Sequence, residues 1–157
     1  MDIGEYEAVP SRLRAMPSRL VNLAAISANR LTDQALHGTG SRRYHYALLA
    51  ALDEFGPSSQ ADLGRCTRID RSEIVETVND LVGHAFVKRK PDPADRRRNI
   101  VSITAAGVRH LQKLDILLEQ AQAQFLTSLS AGERKVLVRL LTRVVEGSHS
   151  SAETVSK

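Results

Sequence analysis

The sequence has no tryptophan, a single cysteine and no long apolar run. Phe and Tyr contribute only three residues each to the 157, so a core must consist mostly of Leu, Val, Ile and Ala, as in packed helices. One cysteine forms no internal disulfide, which favours a reducing compartment. The longest apolar run, Tyr46 to Leu52, is too short to cross a bilayer, and the N-terminus has no apolar signal core. We therefore expect a cytoplasmic protein that does not bind membranes.

Sequence motifs for catalysis and for metal binding are also missing. The five histidines show neither His-x-x-x-His spacing nor a cysteine pair nearby: His37, His45, His84, His110 and His149. Gly38-Thr39-Gly40 lacks the third glycine of a dinucleotide loop and follows a predicted helix, which favours a helix-helix turn. No Gly-x-Ser-x-Gly elbow or phosphate-binding loop is present. The sequence therefore predicts no enzyme activity, no cofactor and no metal site.

Positive charge is concentrated in one segment, Lys88 to Arg98. This segment holds six Lys or Arg and two Asp, and its excess equals the formal net charge of +4 of the whole chain. Two prolines predict a turn, and the alternating segment from Asn99 to Thr104 predicts a strand after it. A turn crowded with cations repels itself unless an anion meets it. The segment therefore predicts a basic β-hairpin whose leading partner is DNA, although a merely solvated charge run is the alternative.

Apolar spacing predicts helices over 11–37, 43–55, 60–66 and 70–84, followed by two long helices after Thr104 and Ser130. Asp70 with Glu73, and Ser130 with Glu133, have the spacing of capping boxes, and Thr104 is a suitable N-cap. The Ser-rich tail at 148–157 is expected to be disordered. A short helix, a tight turn and a longer helix before a charged hairpin form a winged helix-turn-helix.

The predicted fold is mainly α, a winged helix-turn-helix with a small β-hairpin wing, flanked by N- and C-terminal dimerisation helices. We expect one chain-long unit, 1–157, with the DNA-binding lobe at 43–103 and dimerisation helices at 11–37 and 104–147. The flanking helices carry more apolar surface than the lobe can cover. They most simply bury one another across a twofold axis, which predicts a homodimer.

Four short segments between Tyr44 and Leu111 carry a family resemblance. They are Asp70-Arg71-Ser72, Phe86-Val87-Lys88-Arg89, Asp92-Pro93-Ala94-Asp95-Arg96-Arg97 and Ser102-Ile103-Thr104-Ala105-Ala106-Gly107. The chain resembles the MarR-type winged-helix transcriptional regulators of bacteria. The resemblance implies a dimeric regulator, usually a repressor, that binds double-stranded DNA at a pseudo-palindromic operator. The helix at 70–84 would enter the major groove, and the wing would lie in or beside the minor groove.

The resemblance also assigns roles in the wing, with Arg97 as the tip contact and Asp95 as the residue that orients the wing arginines. Glu76 and Asp80 stand where family members often carry basic residues, and Ala85 replaces the usual glycine. On the predicted recognition helix, Ser72 is suited to a phosphate or base edge, Val75 to a thymine methyl, Glu76 to a cytosine amine and Asn79 to adenine. Exposed polar residues without a function are the alternative. The predicted DNA-binding set is Ser59, Gln60, Arg71, Ser72, Val75, Glu76, Asn79, Lys90, Asp95, Arg96, Arg97 and Arg98.

The sequence contains two candidate features for regulation, a possible effector site and a single cysteine. Arg43, His45 and Tyr46 mix a cation with hydrogen-bonding rings, which suits a small aromatic or carboxylate effector, unless they are only packing and solvent-exposed residues. Cys66 raises the alternative of a redox-responsive repressor, although a lone thiol is usually a small core residue. A winged-helix protein-interaction module and an enzyme that has retained the fold are further alternatives.

Overall fold

The computed structural model describes the backbone of residues 9–155 and the side chains through residue 148. Residues 1–8, where the sequence shows no apolar signal core, lie outside the described residues. Within it the chain forms α1 (Ser11–Arg14), α2 (Pro17–Leu36), α3 (Arg43–Phe55), β1 (Ser58–Ser59), α4 (Gln60–Thr67), α5 (Arg71–Gly83), β2 (Val87–Pro91), β3 (Asn99–Ile103), α6 (Ala105–Phe125) and α7 (Ala131–Val155). The strands form one antiparallel sheet in the order β1-β3-β2. The mainly helical winged helix-turn-helix prediction is confirmed.

The first predicted helix is broken. Instead of one helix over 11–37, α1 ends at Arg14 and α2 begins at Pro17. Met16 before the proline has φ −84° and ψ 109°, an extended conformation. Proline disfavours the helical conformation in the residue before it and lacks the amide hydrogen of a helix interior, but is well suited to the first position of a new helix. The break is therefore encoded by Pro17.

The lobe from α3 to β3 has a core of aliphatic side chains. Its fully buried members come from every element of the lobe except β1 and include Leu48, Leu49, Leu52, Leu63, Ile74, Val78, Leu81, Val87 and Val101. The end of α3 at Phe55 agrees with the sequence. Gly56 follows with φ 77° and ψ −166°, a region open essentially to glycine. The core fixes α4 and α5 against each other and positions the wing.

Two of the three predicted helix caps are present. The Thr104 hydroxyl accepts a hydrogen bond from the Gly107 amide at 3.0 Å, at the start of α6. Ser130 and Glu133 exchange two bonds, of 2.8 and 3.3 Å, at the start of α7, which holds the pKa of Glu133 below its usual value. Asp70 is the N-cap of α5 but its carboxylate makes no capping hydrogen bond, so the capping box predicted with Glu73 is wrong.

Residue contacts divide the chain into two compact units, the second beginning at Ala123. In that unit α7 is described to Val155, where the sequence predicts a disordered tail from 148, and 156–157 lie outside the described residues. Large apolar side chains of α7 remain exposed: Val136, Val138, Leu140, Leu141, Val144 and Val145. No helix in the described part of the chain combines the length and the apolar character that crossing a membrane requires.

Candidate nucleic-acid interface

The wing is a closed hairpin between β2 and β3. Pro91 pairs with Asn99 at its end, and the Asp92 amide donates to the Arg98 carbonyl at 2.8 Å. The Asp92 carboxylate in turn accepts a bond of 2.9 Å from the Ala94 amide. Carboxylates that accept such bonds two residues ahead stabilise turns. The tip is thus ordered by its own aspartates and leaves the Arg96 and Arg97 side chains exposed.

Asp95 acts on the backbone of the wing. Its carboxylate accepts a hydrogen bond from the Arg97 amide at 3.0 Å, and its carbonyl accepts one from the Arg98 amide at 2.9 Å. The Asp95 carboxylate therefore contacts the backbone amide of Arg97 and no guanidinium. Any effect of Asp95 on the wing arginines acts through the main chain. Exposed Lys90 lies on β2, paired with Ile100 across the hairpin.

Arg98 and Ser59 join the wing to α4. The guanidinium of Arg98 donates to the Ser59 hydroxyl at 3.1 Å and lies 3.7 Å from the Asp62 carboxylate. Ser59 is only 3% exposed and caps α4 by accepting from the Asp62 amide at 3.2 Å. Its hydroxyl also donates to the Asp62 carboxylate, which lowers the pKa of that carboxyl, with Arg65 and Arg98 adding to the shift. Ser59, predicted as a phosphate contact, is instead a buried structural residue.

An open cleft of about 630 Å³ lies between α4, α5 and the wing. It brings together five of the residues predicted to bind DNA besides Ser59: Gln60, Arg71, Val75, Arg97 and Arg98. Arg65, which the sequence analysis did not select, also lines it and pairs with Asp62. The cleft therefore concentrates four guanidinium groups beside the exposed side of α5, an arrangement that suits the backbone of a polyanion.

The outer side of α5 carries the remaining predicted residues. Ser72, Glu76 and Asn79 are exposed there and do not line the cleft. Asn79 accepts a bond of 3.0 Å from the Arg89 guanidinium. That bond connects β2 to α5. It uses the side-chain oxygen of Asn79, so the amide nitrogen can still donate a hydrogen bond to another partner. The wing and the exposed side of α5 thus form one continuous polar surface.

An ion-pair cluster at the edge of α5 is the feature that sequence reasoning missed. Arg42, directly before α3, donates to the Glu76 carboxylate at 3.2 Å and to the Asp80 carboxylate at 2.8 Å. His45 also contacts Asp80, at 3.2 Å. Burial alone would raise the pKa of Asp80, but the bonds from His45 and Arg42 outweigh it and lower that pKa. The partners are 34 to 38 residues apart, so no local pattern in the sequence reveals the cluster.

The three predicted effector residues do not form one pocket. A cavity of about 570 Å³ lies between the end of α2, the following loop, the start of α3 and Glu73, and only Arg43 of the three lines it. Arg43 is paired with Asp33 at 2.9 Å. The Tyr46 hydroxyl donates to Asp115 at 3.0 Å. Burial, followed by that bond, raises the pKa of Tyr46. Tyr46 therefore does not belong to an effector pocket at this cavity.

His45 is buried inside the lobe, with 4% of the residue exposed. Its Nδ1 accepts the Arg42 amide hydrogen at 2.8 Å, which places the ring proton on Nε2, facing Asp80. Burial lowers the pKa of His45, against an opposing effect of the bond to Asp80. The packing alternative is therefore the correct one for His45, which caps α3 and supports Asp80.

Cys66 is exposed, and its thiol lies 3.4 Å from the Leu63 carbonyl. The expectation that it is a small core residue is therefore wrong. Among the residues that the structure describes, no cluster of three or more His, Cys, Asp or Glu is placed to hold a metal ion.

Comparison with known proteins identifies the family. A sequence model described as the MarR family matches residues 38–98. The HTH-type transcriptional repressor NicR of Pseudomonas putida is 34% identical over 106 residues, which cover 68% of this chain and 67% of NicR. The chain belongs to the MarR family.

Solved structures agree with this membership. A probable transcriptional regulator from Pseudomonas aeruginosa superposes with a TM-score of 0.77 at 30% identity, covering 84% of this MarR-family chain and 98% of that protein. The PcaV transcriptional regulator from Streptomyces coelicolor, solved in complex with its natural ligand, superposes with a TM-score of 0.78 at 27% identity, covering 90% and 98%. The likeness therefore extends well beyond the matched segment, and the chain is a transcriptional regulator by family.

Proposed function

We propose that this chain is a homodimeric, sequence-specific DNA-binding repressor whose release is controlled by a small molecule. The observation that carries the proposal is the cleft in which Arg71, Arg97 and Arg98 lie beside the exposed side of α5. Arginines recognise phosphate groups through several fixed donors. A helix whose polar side lies next to such a cluster is suited to reading base edges in the major groove. NicR, the relative described above, is named as a repressor.

Different parts of this surface would contact different parts of the DNA, namely the phosphates and the base edges. Arg71 and Arg97 would contact phosphates and fix the position of the chain on the duplex, while Arg96 and Lys90 add charge in the wing. Contacts of this kind position a protein, whereas contacts to base edges specify the sequence. The base-reading side chains would be Ser72, Val75 and Asn79 on α5, where Val75 offers an exposed apolar group for a thymine methyl. Gln60 at the start of α4 would support a backbone contact.

Dimerisation is supported by apolar side chains that a single chain leaves exposed. On α2 these are Leu20, Val21, Leu23 and Ile26, each more than 40% exposed, and α7 carries a longer series. Contiguous exposed apolar surface marks an interaction site. A twofold dimer would present two copies of α5, and the operator would then be a pseudo-palindrome with half-sites about one helical turn apart.

The effector would bind in the 570 Å³ cavity beside Arg42 and Arg43, a volume suited to a small ligand. The proposed ligand is an aromatic or carboxylate anion that would compete with Asp33 for Arg43, since Asp33 and Glu73 line the cavity together with Arg42 and Arg43. PcaV was solved with a natural ligand. A ligand that binds better when the two α5 helices no longer match successive major grooves shifts the dimer toward that state.

The test is fluorescence anisotropy of the full chain with labelled duplex DNA from upstream of its own gene, across a salt series. We expect Arg97→Ala to weaken binding about tenfold and to lower the magnitude of the salt slope by about one. Arg109→Ala removes the same charge from an exposed position outside the cleft, and should leave affinity within about twofold. Equal affinities of wild type and Arg97→Ala would contradict the assigned surface. Light scattering of the same samples measures the dimer.

A further inference from the structure

The exposed side of α5 is unusually acidic for a helix that enters a DNA groove. The helix contains one basic residue, Arg71, and three acids, Glu73, Glu76 and Asp80. At 100° per residue Glu76 falls about 40° from Ser72 and about 60° from Asn79, on the side of the helix toward Asp80. Its side chain is 58% exposed. An uncompensated carboxylate at this position repels the phosphates on both sides of the groove.

Arg42 supplies the missing compensation from outside the helix. Its side chain crosses from the start of α3 and binds both acids through one terminal nitrogen, at 3.2 Å to Glu76 and 2.8 Å to Asp80. Its own side chain is 63% exposed, so this charge lies at the surface of the lobe. The bond to Glu76, followed by the bond to Asp80, raises the pKa of Arg42. The cation is therefore constant over the physiological pH range.

We propose that Arg42 is a positioning residue for DNA binding, which offsets one of the two negative charges of Glu76 and Asp80 and holds the Glu76 carboxylate at the edge of the helix. This inference rests on the proposed function. With Arg42 in place, α5 presents Ser72, Val75 and Asn79 to the bases beside one net negative charge instead of two, and the repulsion of the phosphates is weaker. Without it, two carboxylates face the duplex, and the free Glu76 side chain can turn across the base-reading residues.

A direct contact of Arg42 with a phosphate is the competing explanation, and a mutant cycle separates the two. The cycle comprises wild type, Arg42→Gln, Glu76→Gln with Asp80→Asn, and all three substitutions together. The amides keep the shape and the acceptor oxygens of the acids but remove their charge. The assay is anisotropy with duplex DNA from upstream of the gene for this chain, at one fixed salt concentration.

We expect Arg42→Gln alone to weaken DNA binding about tenfold, which corresponds to about 1.4 kcal/mol. In the background without the two acids, the same substitution should change affinity less than about twofold, because nothing remains to be neutralised. The variant lacking only the acids should bind at least as tightly as wild type. Arg42→Lys keeps the charge and should recover most of the loss.

Arg109→Gln is the matched control. Arg109 carries the same charge at an exposed position on α6, outside the cleft of α4, α5 and the wing, so its loss should leave affinity within about twofold. Thermal unfolding of every variant detects a folding defect. If Arg42→Gln fails to fold, the variant lacking only the acids still tests the proposal. Weaker DNA binding by that variant than by wild type would overturn it.

Other outcomes overturn different claims. An equal loss on Arg42→Gln in both backgrounds, with a smaller salt slope, assigns Arg42 to a phosphate and overturns the neutralising role. No loss in either background overturns it as well. Failure of wild type and of the variant lacking the acids to prefer any DNA overturns the proposed function, and this inference with it.

Discussion

Gly107→Ala is the substitution whose cost the structure defines most closely. Gly107 is buried in the first turn of α6. A Cβ atom added there would lie 2.1 Å from the Phe86 carbonyl oxygen and 2.8 Å from a side-chain carbon of Ile103. The isoleucine can change its rotamer, but the carbonyl cannot move freely, because it accepts the Thr104 amide hydrogen at 3.0 Å. The backbone at the junction of wing and helix must therefore shift.

We expect this substitution to lower the free energy of unfolding by about 2 kcal/mol. Overpacking of a closed site costs about 1–3 kcal/mol, and a displaced backbone hydrogen bond adds about 1 kcal/mol. Against these, alanine gains up to about 1 kcal/mol of helix propensity over glycine. Urea unfolding followed by circular dichroism measures the difference through the midpoint and the slope.

Gly132→Ala is the matched control, because among the described residues no heavy atom lies within 4 Å of the added Cβ. In the first turn of α7 it should be neutral or stabilising by up to about 1 kcal/mol. A loss of less than about 1 kcal/mol in Gly107→Ala, or equal effects of the two substitutions, would refute the close-approach argument.

Three further predictions follow from single features. Ala85 has φ 57°, so Ala85→Gly should raise the free energy of unfolding by about 0.5 kcal/mol, the relieved strain less the entropy of glycine, and a loss in urea unfolding would contradict this. Because burial lowers the folded-state pKa of His45, the unfolded chain binds its proton first, so stability should fall as pH drops below about 6.5. Unfolding at pH 7.5 and 5.5 should show a smaller fall in His45→Gln. If a small molecule rather than an oxidant controls release, peroxide should leave anisotropy-measured DNA binding unchanged in both wild type and Cys66→Ser; loss in wild type alone would instead support the redox alternative.

Local signals in the sequence predicted most of the fold. The basic hairpin and the alternating residues from Asn99 to Thr104 are local signals, and the structure places the wing and β3 where the sequence predicts them. The break at Pro17 is also a local signal, but the apolar periodicity continues on both sides of it and predicts one helix. The Ser-rich composition predicts a disordered tail from 148, whereas the structure describes α7 to Val155.

The site was harder to predict because its partners are distant in sequence. The Ser59 hydroxyl accepts a hydrogen bond from Arg98, 39 residues later. The compensation of Glu76 depends on Arg42, 34 residues earlier. The pairing of Tyr46 with Asp115 spans 69 residues. Charge and residue type indicated which side chains were available, but only the packed lobe shows which are free for DNA and which are already bound within the chain.

The most direct test of the account is selection of bound duplexes from a random DNA pool by the purified full chain. Sequence-specific binding by a twofold dimer predicts enrichment of one pseudo-palindromic motif, with half-sites about ten base pairs apart, centre to centre. The enriched duplex should bind roughly a thousandfold more tightly than an unrelated one of equal length. Recovery of duplexes without a shared motif, bound with equal affinity, would contradict the account.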